Sequence, residues 1–178
     1  DEPQTASLRP YSEPEIRAAD LSGLLLDLAE WGVSEPATLS WLDPPSVAAV
    51  SAARHELQTI GALDASARIT PEGRRIRALP LPARLARMVL ASQTYQSAEI
   101  AAVLVERGLG GTDTDLDHRI TSFRRDRSRR AEDMRRLAGV WAKSAGVSNT
   151  ANETSVAMTL ALAYPDRIAK ARGAPGQF

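Results

Sequence analysis

The densest group of chemically active side chains in this sequence is a run of arginines. Eight arginines and three acids stand in residues 119–136, around the segment Arg124-Arg125-Asp126-Arg127-Ser128-Arg129-Arg130. A planar guanidinium can donate two parallel hydrogen bonds to a phosphate, so this composition suits contacts to a nucleic-acid backbone. A solvated helix face, with ion pairs to nearby acids, would explain the same residues. Within the run, the residues that we predict to contact a nucleic-acid strand are Arg124, Arg125 and Arg127.

A second basic strip lies near the end of the chain. Its residues, which we also predict as strand contacts, are Arg167, Lys170 and Arg172. If residues 166–172 form a helix, Arg167 and Lys170 share one of its faces at a spacing of three. Both groups would give salt-sensitive affinity for phosphates without reading bases. Only Phe123 adjoins the arginine run, and it fits a helix core, so base stacking is not indicated there.

Catalytic and metal-binding patterns are missing from the sequence. The only lysines are Lys143 and Lys170, and neither follows a glycine as a Walker phosphate loop requires. The pair His55-Glu56 has no second histidine at the zinc-protease spacing. An Asp-Thr-Asp-Leu-Asp segment imitates a calcium loop but lacks its glycine and its glutamate, so helix capping by Asp113 or Thr114 explains it better. We therefore expect no catalytic residue, metal or cofactor site within these 178 residues.

The formal net charge of zero conceals two halves of opposite sign. Residues 1–66 hold 11 acids and 3 bases, whereas residues 67–178 hold 11 acids and 19 bases. Such asymmetry indicates two modules, one of which meets a polyanion, or two halves that attract each other or a missing neighbour. The sequence has no cysteine, no long apolar run and no signal-peptide core, so we expect a cytoplasmic protein without a membrane contact.

The elements that must position these residues are mainly helical. In residues 13–79 we predict helix, helix, helix, a small β wing and a further helix, which is the order of a winged helix. The third helix spans Val47–Ile60 and ends before Gly61, where a left-handed residue is favoured. The wing is a hairpin that joins Leu63 to Ile69, and Thr70 with Pro71 begins the last helix.

The proline-rich segment Leu79-Pro80-Leu81-Pro82 predicts a module boundary. Beyond it we expect a bundle of five helices in residues 80–172, followed by a linker in residues 173–178. Apolar residues at helical spacing mark the five helices: Leu85 and Met88; Ile100 and Val103; Leu116, Ile120 and Phe123; Met134, Leu137 and Trp141; Val156 and Leu160.

Several motifs, in this order, resemble one helicase family. The segment Arg9-Pro10-Tyr11-Ser12-Glu13-Pro14-Glu15-Ile16 is similar to the stretch after the last RecA-like motif of DEAH-box helicases. Ile69-Thr70-Pro71-Glu72-Gly73 and Leu79-Pro80-Leu81-Pro82-Ala83-Arg84-Leu85-Ala86-Arg87-Met88 resemble the winged helix and the start of the ratchet domain. The later segments that resemble the bacterial HrpB-type branch are Arg107-Gly108-Leu109-Gly110-Gly111, Asp113-Thr114-Asp115-Leu116, Phe123-Arg124 and Ala163-Tyr164-Pro165-Asp166-Arg167-Ile168-Ala169.

This resemblance implies a role for each part of the chain. Residues 1–12 would extend from a preceding RecA-like lobe, and residues 173–178 would lead to a further C-terminal domain. Two RecA-like lobes, which use ATP and Mg²⁺, would precede Asp1. The winged helix would act as an adaptor fixed to the second lobe, and the ratchet domain would close over single-stranded RNA or DNA. We expect this part of the protein to be monomeric.

Two other functions agree with the same sequence. One is a stand-alone winged-helix DNA-binding regulator with a helical interaction domain. That hypothesis requires basic residues on the reading helix, and Val47–Ile60 offers only Arg54 within an acidic module. The other is a protein-interaction module whose arginines serve only as a solvated surface.

Overall fold

The computed structural model describes residues 14–147, 154–170 and 173. The described residues are mainly helical, as predicted, and none of their helices is long and apolar enough to cross a membrane. The eight α-helices are α1 (Ser22–Glu30), α2 (Val47–Thr59), α3 (Pro71–Arg77), α4 (Ala83–Ser92), α5 (Tyr95–Val105), α6 (Leu116–Arg125), α7 (Arg129–Ser144) and α8 (Val156–Ala163). Short 3₁₀ turns lie at Glu15–Arg17, Pro36–Thr38 and Pro165–Arg167. The N-terminal motif falls outside the described residues up to position 13.

The first region, residues 14–79, packs α1 against both α2 and α3. Its helices begin where the sequence supplies hydrogen-bond acceptors for free backbone amides. The Ser46 hydroxyl accepts from the amide of Ala49 at 3.1 Å, and the Thr70 hydroxyl accepts from the amide of Gly73 at 2.9 Å. Gly61 has a φ of +75°, which confirms the predicted left-handed position after α2.

The predicted β wing has no strand in the described part of the chain. Residues 61–70 form a loop in which one antiparallel bridge joins Leu63 to Ile69. The physical reason is the Asp64 carboxylate, whose Oδ1 accepts from the amides of Ser66 and Arg68 at 2.8 and 2.9 Å. These side-chain bonds close a tight turn and use amides that a longer ladder would need. The expected hairpin is therefore reduced to a single pair.

Gly73 explains why the loop and α3 can pack so closely. A Cβ atom at this position would lie 2.1 Å from the carbonyl oxygen of Ala62. The Thr70 hydroxyl also donates to the carbonyl of Gly61 at 2.7 Å. The Thr-Pro-Glu-Gly segment thus begins a helix and, at the same time, holds the loop against it.

The second region, residues 80–170, is arranged around α5. This helix packs against α4, α6 and α7, and its residues from Gln96 to Val103 are all buried. A helix that is buried on every side belongs to the centre of a bundle. α8 packs on α4 at the other side of the bundle.

The predicted boundary at Leu79-Pro80-Leu81-Pro82 lies over a shared core. Leu79 and Ala83, on either side of the prolines, are buried, and Leu81 packs against the same cluster. α3 contacts α4 across the boundary. The buried cluster extends through both regions.

Candidate nucleic-acid interface

The turn between α6 and α7 presents three free arginines. Asp126 accepts the amide of Ser128 at 2.8 Å, and Ser128 in turn caps α7 by accepting the amide of Ala131 at 3.2 Å. This local hydrogen bonding holds a short connection whose basic side chains project into solvent. The arginines that are exposed there and make no ion pair or hydrogen bond within the described residues are Arg125, Arg127 and Arg129. We call these three residues the turn cluster.

Arg124 differs from its neighbour Arg125. Its Nε and Nη2 donate to Oε2 of Glu99 on α5 at 3.0 and 2.6 Å, and Nε also reaches Oε1 at 3.2 Å. Only 6% of the Glu99 side chain is exposed. A buried carboxylate needs such a partner, and Arg124 balances the negative charge of Glu99 inside the bundle.

Three further arginines of the run are bonded internally. Arg130 bonds Glu106, the residue directly after α5, and the carbonyl of Arg107. Arg135 donates to the carbonyls of Phe123 and Asp126 at 2.6 and 2.7 Å and lies over the Phe123 ring. Arg136 pairs with Asp133 one turn earlier on α7. These arginines fasten α7 to its neighbours or to itself.

The second predicted strip is exposed but not helical in its described part. A 3₁₀ turn covers Pro165–Arg167, and residues 168–170 have no regular structure, so the predicted shared helix face of Arg167 and Lys170 is wrong. Pro165 explains this, because α8 ends before it and only one tight turn follows. Arg167 lies 5.1 Å from the centre of the Tyr164 ring, and Lys170 has no partner in the described ranges. Arg172 falls outside the described residues.

Arg84 joins the two regions and anchors this strip. Its Nε pairs with Glu56 of α2 at 2.9 Å, and its Nη1 and Nη2 contact the Asp166 carboxylate at 2.6 and 3.2 Å. Only 13% of the Arg84 side chain is exposed. Burial opposes the charge, but the hydrogen bonds to Asp166 and Glu56 prevail and raise the pKa of Arg84. The same contact lowers the pKa of Asp166.

Arg87, one turn further along α4, reinforces the junction. Its Nε donates to the carbonyl of Ile60 at 3.0 Å, and its Nη1 bonds the carbonyl of Leu162. The Pro-Ala-Arg-Leu-Ala-Arg segment therefore connects the end of α2, the start of α4 and the end of α8. Because Asp166 directly precedes Arg167, the junction also fixes where the basic strip begins.

The first region holds five of its six arginines in ion pairs, and only Arg17 has no such partner among the described residues. Five of them meet carboxylates: Arg54 with Glu35, Arg68 with Asp64, Arg74 with Glu30, Arg75 with Glu72, and Arg77 with Asp27. Arg54, which was the only base available on the predicted reading helix, also donates to the carbonyl of Ser34 at 3.0 Å. This region consequently offers little free positive charge to a phosphate.

The described residues contain no cluster of side chains that could hold a metal ion. No group of three or more histidine, aspartate or glutamate side chains within them could hold one ion. The aspartate-rich segment instead caps α6: the carboxylate of Asp115, rather than Asp113 or Thr114, accepts the amides of Asp117 and His118 at 2.9 and 3.4 Å. Neither Lys143 nor Lys170 follows a glycine, so the residues present do not fit ATP with Mg²⁺.

Comparisons with known proteins agree with this arrangement. The family model of the winged-helix part of the helicase-associated domain (HA2) matches residues 53–81, which hold the end of α2, the loop and α3. The ATP-dependent RNA helicase HrpB of Escherichia coli is 36% identical over 171 residues, or 94% of this chain. This chain is a homologue of the HrpB-type DEAH helicases.

Solved structures extend the similarity to the fold. A crystal structure of the E. coli DExH-box NTPase HrpB matches 99% of this chain with a TM-score of 0.76 and 34% identity. A second HrpB structure, described as a DEAH/RHA helicase, gives a TM-score of 0.77 at 35% identity. A mouse protein named probable ATP-dependent RNA helicase DHX34 is 36% identical over 99 residues, 53% of this chain. The chain spans 20% of the length of HrpB and 9% of that mouse relative.

The structure adds residues to the candidate interface that the sequence did not single out as contacts. Arg129 belongs to the turn cluster, and exposed Arg107 lies beside Arg130. Arg129 could have been chosen from its place directly after the capping Ser128, where the chain leaves a turn. Arg107, Arg119 and Arg167 line neighbouring depressions that share Leu104, and this proximity across three segments has no local sequence signal.

Proposed function

We propose that this chain is the accessory region of an ATP-dependent RNA helicase and that it grips single-stranded RNA during each ATP-driven cycle. The parent protein would hydrolyse ATP with Mg²⁺ in RecA-like lobes outside the present residues. Support comes from the names of the homologues, which are ATP-dependent RNA helicases, and from the match of this chain to one segment of them. The cytoplasmic location and the monomeric state stay predictions.

The observation that carries the strand-binding proposal is the distribution of unpaired positive charge. Among the described residues of the second region, the exposed cations that contact no carboxylate include Arg107, Arg125, Arg127, Arg129, Lys143, Arg167 and Lys170. Guanidinium and ammonium groups of this kind release counterions from RNA and bind its phosphates whatever the base sequence. Arg124 leaves our set of strand contacts because its guanidinium serves Glu99.

The junction around Arg84 would couple this grip to the rest of the enzyme. Arg84 links Glu56 in the first region to Asp166, which precedes the basic strip. A displacement of the first region by the lobes would therefore reach Arg167 through two ion pairs and a shared core. We infer that the first region works as the adaptor and that the second region works as the clamp.

Fluorescence anisotropy of the 178-residue chain with a labelled oligouridine strand tests this function. We expect affinity to fall steeply between about 50 and 200 mM salt, because several phosphate contacts release counterions. Changing Arg125, Arg127 and Arg129 together to glutamate should weaken binding at least tenfold. The matched control is Arg17→Glu, since Arg17 is also exposed and makes no ion pair among the described residues but lies in the first region.

The outcomes separate the three functions. Binding that does not change with salt, or an equal loss in the turn-cluster variant and the Arg17→Glu control, would contradict the clamp. Tight binding to a palindromic duplex alone would favour the stand-alone regulator. Absence of binding to any nucleic acid would favour a protein-interaction module. Because the sequence lacks a Walker phosphate loop, we expect the strand affinity to be the same with and without ATP.

A further inference from the structure

A slot between the end of α5, the start of α6 and α8 differs from the other depressions on the surface. Its volume is about 570 Å³, within the range of about 300 to 1,000 Å³ that is typical of small-molecule sites. Most of its lining is apolar. The apolar residues that form it are Leu104, Leu116, Ala157, Leu160, Ala161 and Ile168, together with the Tyr164 ring. Ile168 is 70% exposed, so the apolar lining continues to the rim of the slot.

Apart from the Tyr164 phenol, the slot is lined by two ionisable side chains, and both are arginines. Arg119 and Arg167 contribute to the wall, and no carboxylate does so. The adjoining depression at the junction contains Asp20 and Glu56 beside its arginines, and the groove around Trp41 contains Glu35. The lining of the slot thus carries two arginines and no carboxylate, whereas each of those two depressions has charges of both signs, and Arg167 lines the junction depression as well.

Neutral groups hold both arginines in place. Nη2 of Arg119 donates to the carbonyls of Val103 and Leu109 at 2.9 and 3.1 Å, and its buried Nε has no partner among the described residues. The guanidinium of Arg167 lies over the Tyr164 ring at 5.1 Å. Asp166 beside Arg167 attracts part of its charge, but neither guanidinium forms an ion pair within the described residues, so both keep positive charge for an anion.

We propose that this slot takes one unstacked nucleotide of the bound strand, with its base on the apolar lining and its phosphate at Arg119 and Arg167. This inference rests on the proposed function, because it names a subsite of the same clamp. A nucleotide joins a flat ring with apolar faces to an anion, and the slot offers a complement to each part. The slot would hold the strand by one nucleotide at a time, without hydrogen bonds to the base edges.

Two strands with equal numbers of phosphates test the slot. One is labelled oligouridine, and the other is the same ribose-phosphate backbone without bases. We expect the 178-residue chain to bind oligouridine about tenfold more tightly, since stacking of one base contributes this much. A clamp that contacts phosphates alone would bind both strands equally well.

A matched pair of variants on α8 locates the effect. Ala157 lines the slot, whereas Met158, its neighbour, is 65% exposed and does not line it. Ala157→Leu fills the slot and should lower oligouridine affinity to that of the baseless strand, which itself stays unchanged. Met158→Leu should alter neither affinity, and equal melting temperatures of the two variants would show that both remain folded.

Failure of the slot and failure of the clamp give different results. If both strands bind with the same salt-sensitive affinity, the slot proposal is overturned and the clamp survives. An equal loss of both affinities in Ala157→Leu would also overturn the slot. If neither strand binds, the proposed function fails and the slot fails with it. A slot made for an apolar side chain of another protein would leave both strand affinities unchanged when it is filled.

Discussion

In the first region, arginines of α3 contact carboxylates of α1, whereas in the second region the three arginines of the turn cluster extend into solvent. Arg74 meets Glu30 at 3.0 Å, and Arg77 meets Asp27 at 2.6 Å. Arg125 and Arg127 meet no carboxylate in the described part of the chain. The same residue type therefore stabilises packing in one region and supplies electric field in the other.

This difference shows that an arginine count is a poor measure of nucleic-acid affinity. A guanidinium that is paired with a carboxylate adds almost no net field at a distance, because the two charges cancel. A free guanidinium keeps its full charge for a phosphate. Within the arginine run itself, Arg124, Arg130 and Arg136 belong to the first type and the turn cluster to the second.

The largest expected effect concerns the neighbours Arg124 and Arg125. Arg124→Ala would leave Glu99 buried without its cation and should lower the free energy of unfolding by about 3 kcal/mol. Arg125→Ala should change it by less than about 0.5 kcal/mol, because Arg125 is exposed. Urea unfolding of both variants measures the contrast. Equal stabilities would break the distinction between paired and free arginines, and Glu99→Gln added to Arg124→Ala should restore part of the loss.

A smaller loss is expected at the junction. Arg84→Ala removes contacts to Glu56 and Asp166, and we expect unfolding to become easier by about 2 kcal/mol, since both carboxylates can regain water. Arg84→Lys keeps the charge but cannot contact both acids through a planar fork, so its loss should be intermediate. Thermal unfolding provides the measurement. An Arg84→Ala variant as stable as the unsubstituted chain would show that the junction does not hold the two regions together.

Salt dependence should distinguish single cations of the two regions. Removing one phosphate contact reduces the slope of log affinity against log salt by about 0.7 for a single strand. Arg127→Ala should show this reduction, and Arg75→Ala, whose side chain pairs with Glu72, should not. Anisotropy titrations at several salt concentrations give the slopes. Equal slopes for both variants would place the strand elsewhere.

The smallest effect concerns His118 at the start of α6. Its Nδ1 lies 3.2 Å from Oδ2 of Asp113, and this contact raises the pKa of His118 above its ordinary value near 6.5. The protonated form thus contributes to stability fully below pH 6.5 and less as the pH rises through the higher folded pKa. Asp113→Asn should return the pKa toward 6.5. An NMR titration of the His118 ring checks this, and an unchanged midpoint would contradict it.

Local chemistry made much of the fold predictable. Thr70 with Pro71 predicts the start of α3, and Gly61 predicts the end of α2, because capping and left-handed glycine act within a few residues. Apolar spacing located the five helices of the second region. The structure differs from the prediction at the β wing and after Pro165. The Asp64 carboxylate closes the loop into a tight turn, and the Pro165 ring permits only a 3₁₀ turn where a helix was expected.

The sequence by itself determined the helices, the acidic and basic halves and the likeness to HrpB-type helicases, all of which depend on residue type and order. Only the tertiary structure decided which arginines are free. Glu99 stands 25 residues before Arg124, and Asp166 stands 82 residues after Arg84, so no local pattern pairs them. Folding brings these charges within hydrogen-bond distance because burial of the helix faces fixes their positions. The strand-binding surface that we propose consists of the cations that this packing leaves without a partner among the described residues.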